Sequence, residues 1–151
     1  MKINSVVVIG SGTMGGGIAA QLCNANIPVT LLDLKTEISK KARDIIFNSR
    51  PPLLLDKSKI NNIKVGNISD DFGTVKKADW IVEAVVEKID IKRNLYKKIF
   101  NERKKESIVS SNTSSIPIKV LAQNLSEKDK KDFCITPVSY THLTLPTILL
   151  V

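Results

Sequence analysis

The chain has 151 residues, 42% hydrophobic and 25% charged, the balance of a soluble globular protein of about one domain and not of a disordered one. Its net charge of +8 comes with only 5% aromatic residues, no zinc-ligand spacing and no aromatic RNA-binding motif; the lysine-rich surface therefore reads as solvated, with some attraction for an anionic ligand, and not as a nucleic-acid interface. Two cysteines, Cys23 and Cys134, cannot build a disulfide framework and fit a reducing, cytoplasmic setting, and no apolar run reaches the roughly 18 residues of a membrane span.

Short apolar runs alternate with amphipathic stretches over residues 1–136, the pattern of βαβ units around a parallel sheet. Ser5–Ile9 is a buried-strand run. Thr13–Asn26 follows as a helix rich in Ala and Leu that stops before Ile27-Pro28. Val29–Leu32 is a second strand, closed by Asp33. Glu37–Asn48 reads as a helix with Ile38, Ala42, Ile45 and Ile46 at helical spacing, broken by Arg50-Pro51-Pro52. Ile63–Val65 and Trp80–Val85 are the third and fourth strands. Ile89–Lys105 is a helix whose apolar stripe is Ile91, Leu95 and Ile99, with Tyr96 and Phe100 alongside. Ser107–Ser110 is a fifth strand, Pro117–Asn124 a short helix opened by proline, and Phe133–Thr136 begins a sixth. The fold class implied is α/β: a Rossmann-type doubly wound, mostly parallel sheet of order 3-2-1-4-5-6 with helices on both faces, incomplete at its C-terminal end.

Gly10-Ser11-Gly12-Thr13-Met14-Gly15 is a G-x-G-x-x-G that follows a predicted strand and opens a predicted helix. That context is what dinucleotide binding requires. Gly10 suits the tight turn, Gly12 the close approach of a pyrophosphate to the backbone, and Gly15 close helix–strand packing. Free N–H groups at the helix start, with the helix dipole, favour phosphates. Asp33, 23 residues after Gly10, can accept from both ribose hydroxyls and would repel a 2′-phosphate, which favours NAD over NADP. Lys35 beside it leaves the NADP alternative open.

Two further motifs lie at the carboxyl ends of predicted strands, where open α/β sheets bind ligands. One is Glu83-Ala84-Val85-Val86-Glu87, followed by Lys92. The other is Ser110-Ser111-Asn112-Thr113-Ser114-Ser115. On chemistry alone Glu87 and Lys92 could be a charge pair on a helix face, and the serine cluster a cap and turn before Pro117.

VIGSGTMGGGIAAQL, ADWIVEAVVEKIDIK and SSNTSSIPI, in this order, resemble the NAD-binding domain of 3-hydroxyacyl-CoA dehydrogenases, most of all the long multifunctional β-oxidation enzymes of bacteria. The resemblance runs from about Ile3 to Thr136. It implies an NAD-dependent enzyme of fatty-acid β-oxidation that oxidises an (S)-3-hydroxyacyl-CoA to the 3-oxoacyl-CoA. It implies that Gly10, Ser11, Gly12, Thr13, Met14 and Gly15 cradle the pyrophosphate and that Asp33 binds the ribose. Glu87 and Lys92 would stand near the cofactor. Ser114 would hydrogen-bond the substrate's C3 oxygen beside the nicotinamide, with Asn112 supporting that loop. The partners implied are an acyl-CoA substrate and, for the full-length form, a homodimer or a multifunctional complex. Two other readings stay open: another β-hydroxyacid dehydrogenase with the same turn, or a non-catalytic NAD-binding module.

The resemblance breaks after Thr136. The family continues into His-Phe-Phe-Asn-Pro, whose histidine is the base; here Pro137 stands in its place, Tyr140 in that of the asparagine and Leu149 in that of the glutamate that orients the base. Residues 137–151 hold none of the chain's Lys, Arg, Asp or Glu. This segment reads as a tail foreign to the domain, like a translated sequencing adapter, and His142 within it as an incidental histidine. The family's second, all-helical domain is read as absent, and the chain as a fragment without a complete catalytic set. No metal site is expected.

Overall fold

In a computed structural model, which describes residues 2–137, six strands form one sheet of order β3-β2-β1-β4-β5-β6, every pair parallel. They are β1 (Val6–Ile9), β2 (Val29–Asp33), β3 (Ile63–Asn67), β4 (Trp80–Glu83), β5 (Ile108–Ser111) and β6 (Phe133–Ile135). The sequence order of strands is the expected one. The four residues of β1 are apolar and β-branched and all buried, as a central parallel strand covered on both faces demands.

The chain winds outward twice from β1. Helices α1 (Thr13–Asn24) and α2 (Thr36–Asn48) connect β1 through β3 and cover one face. There Ile18, Ala19, Leu22, Ala42 and Ile46 pack on Val6, Val8, Leu31 and Val82. Helix α3 (Ile89–Glu102) and the single-turn α4 (Ile118–Leu121) cover the other, where Tyr96, Ile99 and Leu121 pack on Val7, Ile9, Ile81 and Val109. Burying each Val, Leu or Ile side chain among these contributes about 1.5–3 kcal/mol before entropy is counted. Right-handed crossovers in opposite directions put helices on opposite faces and leave a crevice between β1 and β4 at the carboxyl edge.

Several elements differ from the sequence reading in bounds. Helix α1 ends at Asn24 because Asn26 adopts φ 60. The Asn26 N–H donates to Cys23 O and the Ile27 N–H to Leu22 O, which is a Schellman closure with asparagine in the left-handed position. Strand β4 stops at Glu83, whose side chain accepts the Val85 N–H and turns the chain out of the sheet. Helix α3 ends at Glu102, and Arg103 is drawn off to Asp129 and Asp132. Pro117 precedes α4 as its cap residue, with extended ψ, and the helix closes at Leu121.

The apolar stripe of α3 is also shifted. Its buried residues are Lys92, Tyr96 and Ile99, while Ile91 is exposed. On α2 the buried residues are Ser39, Ala42 and Ile46, and Ile38 and Ile45 face outward. Three elements are additional: two 3₁₀ turns, Lys57–Asn62 and Phe72–Lys76, and the short helix α5 (Glu127–Lys130). Among the described residues no helix is long and apolar enough to cross a membrane. Tyr140, His142, Leu149 and the rest of the tail after Pro137 lie outside the described residues.

Candidate cofactor site

The glycine turn joins β1 to α1 at the crevice. Gly10 has φ +100, and a Cβ there would stand 2.4 Å from the Ala84 carbonyl oxygen. A Cβ on Gly15 would fall 1.8 Å from Gly10 O, so the helix approaches the strand as closely as backbone allows. Gly12 is different: nothing lies within 4 Å of its Cβ position. It is exposed, as are Thr13 and Met14, and no side chain caps the start of α1. The first-turn amides of that helix thus face open space, where the dipole favours an anion.

Asp33 ends β2 next to this turn. Its Oδ2 accepts from the Ser11 N–H at 2.7 Å and from the Ser11 hydroxyl at 2.6 Å, and its Oδ1 accepts from the Leu34 N–H at 2.7 Å. The carboxylate therefore fixes the glycine turn and keeps lone pairs for a further donor. A 420 Å³ cavity opens here, walled by Gly12, Asp33, Ile38, Ile68, Val86 and Ile91. Those apolar side chains explain why Ile38 and Ile91 sit off the buried stripes of their helices. Lys35 is exposed at the start of α2.

A second cavity, of 290 Å³, lies beyond the turn between Met14, Val85, Glu87, Lys92, Asn112 and Ser114. It brings both later motifs to one wall. Behind that wall is Glu83, fully buried. Its Oε1 accepts from Lys92 Nζ at 2.6 Å and from the Val85 N–H at 2.8 Å; its Oε2 accepts from the Ser111 hydroxyl at 2.6 Å and from the Tyr96 hydroxyl. Burial first, then the charge and hydrogen bond of Glu83, push the Tyr96 phenol far above its usual pKa, so it remains a donor.

Lys92 is 1% exposed and also faces Glu87 at 3.4 Å. Glu87 in turn accepts from the Thr113 hydroxyl at 3.1 Å. The pairing of Glu87 with Lys92 that the sequence left open does occur, but inside the site wall and not on a solvated helix face. The serine cluster makes its turn bonds, Thr113 N–H to Ser111 Oγ and Ile116 N–H to Thr113 Oγ1, and caps no helix. Ser114 is exposed at the cavity.

Glu83, Tyr96 and Ser111 were not among the expected site residues. An acid inside the apolar run Trp80–Val85 is their signal, because a buried carboxylate requires several donors. A further cavity, of 530 Å³, opens at the other end of the sheet among Ser5, Pro28, Thr30, Lys64 and Lys77 and touches none of the motifs. Pro137 follows directly on Thr136, whose N–H donates to Ser111 O.

Open space over Gly12 at an uncapped helix start, beside an acid that ends the neighbouring strand, suits the phosphates and ribose of a dinucleotide. The fold and site thus define a domain of the dinucleotide-binding class. Comparison with known proteins narrows it: the chain belongs to the family described as 3-hydroxyacyl-CoA dehydrogenase, NAD binding domain, whose profile matches residues 5–146. NAD is the cofactor of that family.

A probable 3-hydroxyacyl-CoA dehydrogenase of Deinococcus radiodurans is 38% identical over 160 aligned residues, which cover 97% of this chain and 46% of that protein. A putative fatty acid oxidation complex trifunctional enzyme of Rickettsia felis is 39% identical over 142 residues, 89% of this chain and 20% of its own length. Among solved structures, 3-hydroxybutyryl-CoA dehydrogenase of Escherichia coli superposes with a TM-score of 0.78 at 26% identity, over 92% of this chain and 31% of that one. The chain therefore spans less than half the length of each of these three relatives.

Proposed function

We propose that this chain is the coenzyme-binding half of an NAD-dependent 3-hydroxyacyl-CoA dehydrogenase acting in fatty-acid β-oxidation. The observation that carries the reading is the open backbone at Gly12 on the wall of the cavity lined by Asp33 and apolar side chains, which shares Ala84 and Val85 with the cavity lined by Glu87, Lys92, Asn112 and Ser114. The turn from Gly10 to Gly15 holds the pyrophosphate through the first-turn amides that follow Gly12, with Ser11, Thr13 and Met14 contributing to that turn. Asp33 takes the adenosine ribose, and its charge disfavours a 2′-phosphate. The 290 Å³ cavity takes the nicotinamide end, with Glu87 and Lys92 on its wall. Ser114 donates to the C3 oxygen of an acyl-CoA substrate and Asn112 steadies its loop. NAD supplies the hydride acceptor; these residues supply binding and orientation.

A base is needed to take the hydroxyl proton, and the position the resemblance assigns to it holds Pro137. This chain is accordingly proposed to bind NAD without turning over the acyl-CoA. The full-length form is proposed to be a homodimer or a multifunctional complex; the name of the trifunctional relative supports the second. A cytoplasmic setting is supported by the two free thiols.

Calorimetric titration of the full chain with NAD, NADP and ADP-ribose tests the cofactor reading. NAD and ADP-ribose are expected to bind with one site per chain and NADP more weakly. Equal affinity for NAD and NADP overturns the role of Asp33, and no binding of any of the three by folded protein overturns the site.

A further inference from the structure

We infer that Glu83 sets which oxidation state of the cofactor this domain prefers: because Lys92 is shared between Glu83 and Glu87, and lies nearer Glu83, the cluster keeps one net negative charge on the Glu87 side, on the wall of the 290 Å³ cavity, which favours the cationic nicotinamide of NAD⁺ over the neutral ring of NADH. The inference rests on the reading that this cavity takes the nicotinamide end.

Three acidic or basic side chains meet here, and their distances are unequal. Lys92 Nζ is 2.6 Å from Glu83 and 3.4 Å from Glu87. The Lys92 and Glu83 side chains are 1% and 0% exposed, while that of Glu87 is 44% exposed. The short, dry contact is the stronger pair, because Coulomb attraction rises as distance and dielectric fall.

The remaining partners of Glu83 are neutral. The Ser111 hydroxyl and the Val85 N–H cannot titrate here, and the Tyr96 phenol stays protonated in contact with a carboxylate. Four donors converge on its two oxygens, so each oxygen serves as an acceptor. The cluster thus carries one net negative charge. Its exposed member, Glu87, is fixed over the cavity by the Thr113 hydroxyl.

A lone Lys92–Glu87 pair would have been neutral and would serve equally well to tie α3 to the loop after β4. The buried third charge changes the field in the cavity. Since nicotinamide loses its positive charge when it accepts hydride, that field acts on one oxidation state and not on the other.

The experiment is calorimetric titration of the full chain with NAD⁺, NADH and ADP-ribose, in the parent, Glu83→Gln, Glu87→Gln and the double variant Glu83→Gln/Lys92→Met. Each single variant removes one negative charge and is expected to weaken NAD⁺ relative to NADH by about three- to tenfold, the size of one partly screened charge at this range. ADP-ribose, which has no nicotinamide, is expected to keep its affinity. The double variant leaves Glu87 as the sole charge and is expected to recover the parental NAD⁺ to NADH ratio. Glu87→Gln alters a partly exposed side chain and reads the charge effect even where Glu83→Gln disrupts folding.

Equal weakening of NAD⁺ and NADH, or an unchanged ratio in Glu87→Gln, overturns the inference and reduces the cluster to a structural tie. Absence of ADP-ribose binding by the folded parent overturns the cofactor reading itself, and this inference with it.

Discussion

Asp33 accepts two hydrogen bonds from Ser11, one from its backbone N–H and one from its hydroxyl, both on Oδ2. The acid proposed to hold the ribose is therefore also the residue that fixes the glycine turn proposed to hold the phosphates. Asp33→Ala is expected to act twice. It should weaken NAD binding and shrink the preference over NADP. It should also lower stability by about 1–3 kcal/mol, the range for losing charge-assisted bonds that leave polar partners behind. Asp33→Asn should keep most of the stability and lose most of the preference. Chemical denaturation beside calorimetry separates the two effects; a variant that loses stability while keeping the NAD to NADP ratio rules out a ribose contact.

Two glycines of the same turn should behave oppositely. A Cβ on Gly15 meets the Gly10 carbonyl at 1.8 Å, where only backbone can move, so Gly15→Ala is expected to cost about 3 kcal/mol or more or to prevent folding. Gly12 has φ −62 and open space at its Cβ position. Gly12→Ala should fold with a loss of about 1 kcal/mol at the helix cap, yet weaken NAD at least about tenfold by filling the space the pyrophosphate needs. Thermal melts and titrations of the pair check this. Unchanged NAD affinity in Gly12→Ala would place the pyrophosphate elsewhere.

At the opposite end of the sheet, Asp79 accepts from Lys104 and from the backbone N–H groups of Asn4 and Ser5. The Lys104 hydrogen bond, then those of Asn4 and Ser5, bring its pKa from 3.8 down to about 2. A folded-state value below the unfolded one means stability that is present above pH 4 and lost as pH falls through 2. The parent should lose stability over that window by an amount that Asp79→Asn does not share. Denaturation midpoints between pH 2 and 5 give the comparison, and identical acid limbs in the two proteins would show that Asp79 has no part in it.

How much was legible in the sequence follows from what each signal depends on. The strands and their order were readable because apolar runs and a glycine turn are local. Bounds failed where a side chain intervened: Asn26 in the left-handed position, Glu83 turning back on Val85, Arg103 pulled to Asp129 and Asp132. Helix α5 was missed although Ser126 and Asp129 form a capping pair, with the Asp129 N–H donating to Ser126 Oγ and the Ser126 hydroxyl to Asp129 Oδ2, a signature visible at that spacing.

The candidate site was legible where its residues sit in motifs and not where the chain brings distant ones together. Gly10 to Gly15, Asp33, Glu87, Lys92, Asn112 and Ser114 sit in recognisable motifs. Glu83 joins β4, β5 and α3 across 9, 13 and 28 residues of chain, and periodicity carries no such separation. The local hints were the acid inside the apolar run Trp80–Val85 and Lys92 at the place of an apolar stripe residue, four before Tyr96.

The last prediction concerns catalysis. The full chain mixed with NADH and acetoacetyl-CoA is expected to show no loss of NADH absorbance above background. Proton transfer by a placed base is typically worth about 10² to 10⁴ in rate, and Pro137, where the resemblance puts that base, has no titratable group. Its neighbour Thr136 is bonded to Ser110 and Ser111, which fixes the chain leaving β6 against the end of β5. Pro137→His alone should still be inactive, because the resemblance puts Tyr140 and Leu149 where an asparagine and an orienting glutamate belong, and a base without an orienting partner is poorly aligned. Ser114 and the glycine turn are intact, so NAD titration of the same preparation should remain positive while turnover is absent. That combination, binding without chemistry, is the outcome expected of a domain that orients a cofactor but lacks a base. NADH consumption abolished by His142→Ala would instead make His142 a working base and overturn the reading of the tail as foreign to the site.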